Sequence, residues 1–229
     1  MSSDGPSHAD SLLTLRQLVT AHGIRVVVSD LDGVLRVFDA SLWDELDAMT
    51  EVSDGASFAA ILGHPYLDEV VRGRGTHARW RELAAEQLGR EGCDPAVARA
   101  AVDRWADAPA EVDERVRRTL LALRAAGTPV FVLTNGTDRV PEELAALGLE
   151  DVVGEDARFL LNTADLGVAK PEPEVYDRAR ERISQVLGEE IPPERIAFLD
   201  DSPGHVEAAS ACGWHAVLHR APGAGRAGS

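Results

Sequence analysis

The sequence predicts an α/β chain, with a parallel β-sheet covered by helices on both faces and a block of helices inserted after the first strand. Three observations carry this expectation. Beyond residue 110, short β-rich runs alternate with helical patterns. An early run, Arg25–Ser29 (RVVVS), is nearly all β-branched, as suits a strand buried on both faces. Between the two regions, helical signals follow one another with no strand pattern among them.

Taken in order, Ser11–His22 is amphipathic, with Leu12, Leu15, Leu18 and Val19 on one stripe, and is expected to pack on the core without a functional role. After the Arg25–Ser29 strand come Asp30-Leu31-Asp32-Gly33. Ser41–Met49, Ala56–Leu62, Thr76–Leu88 and Asp94–Trp105 then read as helices, with Ser41, Thr76 and Asp94 placed as N-caps and Pro95 in a first turn. Such a block just after the first strand suggests a lid over that strand's C-terminal end. Glu111–Ala126 carries Val112, Val116, Leu120 and Leu123, and Gly127 follows as a C-cap. Strands are expected at Pro129–Leu133, Ile196–Leu199 and Trp214–Leu218, and helices at Pro141–Leu147, Pro173–Leu187 and Pro203–Cys212, each followed by glycine. No internal repeat is visible.

The 229 residues are 45% hydrophobic, enough for a substantial core, and fit one large domain or a domain with an insertion. The ends, MSSDGPSHAD and RAPGAGRAGS, read as frayed tails. A formal net charge of -16 argues against a nucleic-acid partner, whose phosphates attract basic patches. No apolar run is long enough to span a membrane, and the N-terminus lacks a signal-peptide pattern, so a cytoplasmic protein is expected. Cys93 and Cys212 have no metal-binding spacing and are expected as two buried thiols rather than a disulfide. Nothing marks an oligomer interface, which leaves monomer or homodimer.

In open parallel sheets, ligands bind outside the carboxyl ends of the strands. The first strand delivers Asp30 and Asp32 there, the second Thr134 and Asn135, and Ile196–Leu199 delivers Asp200, Asp201 and Ser202. Lys170 precedes the Pro173 helix. Four acids, a hydroxyl and a lysine thus meet at one edge of the sheet. Each piece alone has an ordinary structural explanation: an Asx turn for Asp30 and Asp32, helix caps for Thr134-Asn135 and Asp200-Asp201, a solvated loop for Lys170.

Together, DLDG, LTNG, K-P and LDDS, in that order from about Val26 to Leu218, resemble the haloacid dehalogenase superfamily. The resemblance implies a Rossmann-like core over 1–38 and 110–220, a small all-helical cap over 39–109 and a flexible tail at 221–229. It implies Asp30 as nucleophile, forming an aspartyl-phosphate. Asp32 would protonate the leaving group and then deprotonate water, its backbone carbonyl serving as a metal ligand. Asp30, Asp32, Asp200 and Asp201 would hold Mg²⁺, with Asp201 as the direct ligand and Asp200 acting partly through water; crowded carboxylates need a cation, and a hard oxygen site suits Mg²⁺. Thr134, the backbone N–H of Asn135, and Lys170 would bind the phosphoryl group. Gly33 would permit a tight turn and leave room for substrate.

The implied activity is an Mg²⁺-dependent phosphatase acting on a small phosphorylated metabolite. A phosphomutase shares every one of these residues and differs in excluding water. The family's dehalogenases typically lack an acid equivalent to Asp32, and a non-catalytic binding protein would be expected to have lost Asp30 or Lys170. Arg72, Arg74, His77, Arg79 and Arg81 form the insert's basic cluster. They read either as a solvated helix face or as supplying Arg72 or Arg74 to a second anionic group of the substrate. His64 reads as a loop histidine, and Trp43, Trp80, Trp105 and Trp214 as core.

Overall fold

A computed structural model describes residues 10–220 of the chain; the expected N-terminal tail up to His8 and Ala9, and the tail at 221–229, lie outside the described residues. In chain order the elements are α1 (Ser11–Ala21), β1 (Val26–Ser29), β2 (Arg36–Phe38), α2 (Leu42–Thr50), α3 (Ala56–Ile61), α4 (Tyr66–Val71), α5 (His77–Arg90) and α6 (Pro95–Ala106). There follow β3 (Ala110–Val112), α7 (Glu114–Ala125), β4 (Val130–Thr134), α8 (Val140–Ala146), α9 (Glu150–Val153), β5 (Leu160–Asn162) and α10 (Thr163–Leu166). The chain closes with α11 (Pro173–Leu187), β6 (Ile196–Asp200), α12 (Pro203–Ala211) and β7 (His215–Leu218).

Five strands form a parallel sheet in the order β5-β4-β1-β6-β7. The side-chain period of two divides β1 between the faces. Val27 joins Leu15, Val116, Leu120 and Leu199 on one side, while Val26 and Val28 join Phe131, Tyr176, Ile183 and Phe198 on the other. Because β1 is central, with β4 and β6 on either side, the strand order reverses there, opening a crevice above its C-terminal end. Asp30 is the residue that β1 delivers into it. The α/β expectation, with helices on both faces, is met.

Helices α2 to α6 bury a cluster of their own, including Leu46, Ile61, Trp80, Leu88 and Val102. Trp80 belongs to it fully, donating its indole N–H to the Ile61 carbonyl at 2.9 Å. Thr76 and Asp94 cap as expected: the Thr76 hydroxyl accepts from Arg79 N, and the Asp94 carboxylate accepts from Ala96 N and Val97 N. Ser41 makes no side-chain cap bond.

Strands do occur at the two ends of this helical block. β2 and β3 pair antiparallel, Arg36 opposite Val112, and form a ribbon joining the helices to the sheet. β3 takes the first residues expected to be helical, so α7 starts at Glu114 with Asp113 as its N-cap. Three residues per strand give too little alternation to register in sequence. The same brevity hid β5, an edge strand paired only to β4, and the short helices α4, α9 and α10. Trp214 precedes β7 and is buried against Tyr176 and Phe198. Both cysteines are free thiols; Cys93 is buried but Cys212, at the end of α12, is only half-buried, against expectation. Among the described residues, no helix is long and apolar enough to cross a membrane.

Candidate active site

β1 ends at Ser29, and hydrogen bonds hold the next residue in place from both sides. Asp30 N donates to the Leu199 carbonyl of β6 at 2.7 Å, and the Asp30 carboxylate accepts from Leu31 N at 2.7 Å. Gly33 has φ +76°, a conformation open to glycine at little cost. A Cβ there would sit 2.0 Å from Asp201 Oδ2, so Gly33 also makes space for the Asp201 carboxylate.

Lys170 is the buried centre of the charge cluster. Its Nζ lies 2.9 Å from Asp30 Oδ1 and 2.8 Å from Asp200 Oδ2, and it donates to the Leu133 carbonyl at 3.2 Å. The side chain of Asn135 fixes the loop that carries it: Asn135 Oδ1 accepts from Lys170 N at 2.8 Å, and Nδ2 donates to Lys170 O at 2.9 Å. The Lys170-Pro171 bond is cis. Thr134 ends β4 and is buried.

Asp200 is fully buried and receives three donors: Lys170, the Ser202 backbone N–H at 2.8 Å, and Nδ1 of His205 at 3.0 Å. Burial opposes its ionisation, but the bonds from His205 and Lys170 outweigh it and bring the carboxyl down to about 2. Burial pushes Asp30 the other way, up to about 8, with Lys170 opposing and Asp200 adding to the rise. Lys170 is raised: burial favours loss of its proton, but the two carboxylates retain it. One ammonium therefore faces two buried carboxylates, an arrangement that a further cation beside Asp30 would favour. Asp201 is exposed as a residue, yet partial desolvation of its carboxyl and the neighbouring Asp200 raise it.

Asp30, Lys170 and Asp200 thus meet in one crevice, and Asn135 clamps the Lys170 backbone there. Asp200, Asp30 and His205 offer ligand atoms within 4.8 Å of one another. Asp201 lies toward Gly33 instead. With Asp30 and the two motif acids, this oxygen-rich, under-compensated set suits a divalent cation.

Asp32 points elsewhere. Arg36 Nε donates to Asp32 Oδ1 at 2.6 Å and Arg36 Nη2 to Asp32 Oδ2 at 3.0 Å, while Nη1 holds Glu143 of α8 at 2.7 Å. Arg36 is buried, and its guanidinium is held charged: burial works against the charge, but the bonds to Asp32 and Glu143 prevail. Neither Arg36 nor His205 was evident from sequence. His205 could have been found, since it stands in the first turn of the helix that follows Asp200-Asp201. Arg36 has a distant partner in Glu143, and no local pattern reveals it.

The basic cluster is engaged with neighbouring acids. Arg72 holds Asp68 and Glu172, Arg74 holds Glu69, Arg79 holds Glu82, and Arg81 holds Asp103. Arg72 and Arg74 are therefore not poised for a second anionic group of a substrate, as one reading of the sequence had it. His64 Nδ1 accepts from Tyr66 N at 3.0 Å within its loop. A cavity of about 500 Å³ is lined both by residues of the helical block, among them Trp43, Trp80 and Trp105, and by Asp32, Arg36 and Asn135. Trp43 and Trp105 are only half-buried and serve as walls of this cavity rather than as core alone.

Comparison with known proteins agrees with this architecture. A HAD family enzyme from Bacteroides thetaiotaomicron superposes with a TM-score of 0.62 at 21% identity, covering 86% of this chain and 94% of that one. The same enzyme is known in complex with magnesium and inorganic phosphate, with a TM-score of 0.59 at 20% identity over 87% and 96% of the two chains. A predicted HAD-like family hydrolase from Porphyromonas gingivalis gives 0.60 at 20% identity over 86% and 91%. The L-2-haloacid dehalogenase of Xanthobacter autotrophicus gives 0.54 at 22% identity over 84% and 76%. At these identities the likeness is one of fold. No curated protein matches the sequence. A family model for haloacid dehalogenase-like hydrolases, however, matches residues 24–213, and the chain accordingly belongs to the haloacid dehalogenase-like hydrolases.

Proposed function

We propose that the chain is an Mg²⁺-dependent phosphomonoesterase that works through a phosphorylated Asp30, with residues 39–109 acting as a cap over a core formed by 1–38 and 110–220. The observation that carries this reading is the buried Asp30–Lys170–Asp200 cluster, in which one ammonium faces two carboxylates. Asp30, the backbone carbonyl of Asp32, Asp200 and Asp201 would hold the ion. Bound there, Mg²⁺ supplies the second positive charge for Asp30 and for the oxygens of a phosphoryl group. The B. thetaiotaomicron complex with magnesium and inorganic phosphate supports this for the shared fold.

An Asp30 carboxylate oxygen attacks phosphorus, the ester P–O bond breaks, and the leaving oxygen takes a proton from Asp32. Water then gives a proton to Asp32 and attacks the same phosphorus, which frees Asp30 and inorganic phosphate. Lys170 keeps Asp30 oriented and offsets the charge that gathers during transfer. Thr134 and the N–H of Asn135 bind phosphoryl oxygens. Arg36 fixes both oxygens of Asp32, so the proton-exchanging side chain starts from one position. The presence of Asp32 favours phosphoryl transfer over dehalogenation, where halide leaves unprotonated. Uncatalysed monoester hydrolysis needs up to ~10²¹-fold acceleration, so positioning and charge stabilisation must act together.

The test is phosphate release from acetyl phosphate and a set of phosphate monoesters, with Mg²⁺, with chelator, and with Asp30→Asn. Release that requires both the ion and Asp30 is expected. Release that survives Asp30→Asn refutes the nucleophile, and halide release from 2-haloacids in place of phosphate release would favour dehalogenation.

A further inference from the structure

The cavity beside Asp32 has a chemistry that restricts what can leave from the phosphorus. Its lining includes the rings of Phe38, Trp43, Trp80 and Trp105 and the side chains of Leu62 and Leu147. Phe38 and Leu62 are large apolar side chains exposed to 48% and 39%, so both can meet a ligand in the cavity. Trp105 stands edge-on to Trp80 at 4.8 Å, and the ring of His77 stacks on it at 5.9 Å. His77 is buried, its Nδ1 has no partner among the described residues, and burial lowers its affinity for a proton. Its unpartnered Nδ1 can hydrogen-bond a neutral group.

The charged groups of the lining point the same way. The ionisable groups of the lining are Asp32, Asp39 and Glu143 with Arg36, Arg139 and His77, three carboxylates against two guanidiniums. Arg36 already bridges Asp32 and Glu143. Arg72, Arg74, Arg79 and Arg81 of the helical block pair with acids that do not line the cavity. A leaving group carrying its own carboxylate or second phosphate would enter a lining with no surplus of positive charge. A volume of about 500 Å³ is ample for one or two rings.

Resting on the phosphomonoesterase reading, we infer that the substrate is a phosphate monoester of an uncharged, largely apolar alcohol bearing an aromatic or similarly flat ring, seated against Phe38, Trp43 and Trp105. Sugar phosphates, phosphorylated hydroxy acids and nucleotides fit this lining poorly. The ring enters the cavity with the ester oxygen toward Asp32.

The full-length protein with Mg²⁺ would be compared on benzyl phosphate, glycerol 3-phosphate and 3-phosphoglycerate, whose leaving groups are all alkyl alcohols. A kcat/KM for benzyl phosphate at least about tenfold above the other two is expected from burying one ring. Phe38→Ala and Trp105→Phe should shrink that ratio, while Arg74→Ala should leave it in place. Calorimetric titration with benzylphosphonate and 3-phosphonopropionate reads the same preference without turnover. Equal or reversed preference in both measurements, or a ratio unmoved by Phe38→Ala and Trp105→Phe, overturns the inference. If acetyl phosphate is not hydrolysed through Asp30, the phosphatase reading falls separately, and the titration still decides the character of the cavity.

Discussion

Replacing Lys170 with methionine keeps the length of the side chain and removes its charge from between two buried carboxylates. The ammonium lies 2.9 Å from Asp30 Oδ1 and 2.8 Å from Asp200 Oδ2, with all three side chains shielded from solvent. At an effective dielectric of about 20, each contact is worth about 6 kcal/mol gross, much of it offset by desolvation of the lysine. Asp30 can respond by keeping its proton, but Asp200, held near 2 partly by this lysine, stays charged. The net cost is that of stranding one buried carboxylate, about 3–5 kcal/mol. Urea unfolding at pH 7 in chelator, followed by circular dichroism and tryptophan fluorescence, reads it. Combining Lys170→Met with Asp200→Asn should recover at least about 1 kcal/mol, because the double variant no longer contains the carboxylate that Lys170→Met strands. A loss below about 1 kcal/mol for Lys170→Met, or strict additivity in the double variant, would refute the reasoning.

The pH dependence of the metal-free protein follows from Asp30. Its folded carboxyl holds a proton up to about 8, above its unfolded value, so the associated stability is complete below about pH 4 and drains away as pH rises toward 8. Melting temperature in chelator should therefore fall over that window, and Asp30→Asn should flatten the fall and melt above wild type at pH 8; a lower melting point at pH 8 would contradict it. Gly33→Ala places a Cβ 2.0 Å from Asp201 Oδ2 on a backbone at φ +76°, and should cost about 1–3 kcal/mol and raise the Mg²⁺ concentration needed for half-maximal activity. Unchanged magnesium dependence would detach Asp201 from the ion. Arg36→Met releases Asp32 and should lower kcat on alkyl phosphates by about 10²-fold or more, yet affect acetyl phosphate less, since acetate leaves without protonation. An equal loss on both would argue that Arg36 serves the fold rather than Asp32.

Where side chains act through the chain's own periodicity or directly after a strand, the sequence reveals them. The β-branched run at Val26–Val28 and the apolar Ile196–Leu199 announce buried strands, and the acids that follow them land in the crevice because a strand's end dictates it. What periodicity could not reveal depends on pairing across the fold. β2 and β3 stabilise each other over three residues each, from opposite ends of the helical block. The amide of Asn135 is recognisable as a clamp only once the backbone of Lys170 is brought to it from 35 positions away. Arg36 reads as an ordinary strand residue until Glu143 closes on its far side. The basic cluster misleads for the same reason: its acidic partners, such as Glu172 for Arg72, arrive by tertiary contact.

The most direct test of the account is to find the phosphoryl group on the chain. Wild-type protein would be acid-quenched during steady-state turnover with Mg²⁺ and reduced with borohydride, which converts an aspartyl-phosphate to homoserine, and peptides would be sequenced by mass spectrometry. Homoserine at position 30 alone, absent when Mg²⁺ or substrate is withheld, is the predicted result. Turnover with an unmodified Asp30, or homoserine at another aspartate, would contradict the assignment of Asp30 as the nucleophile.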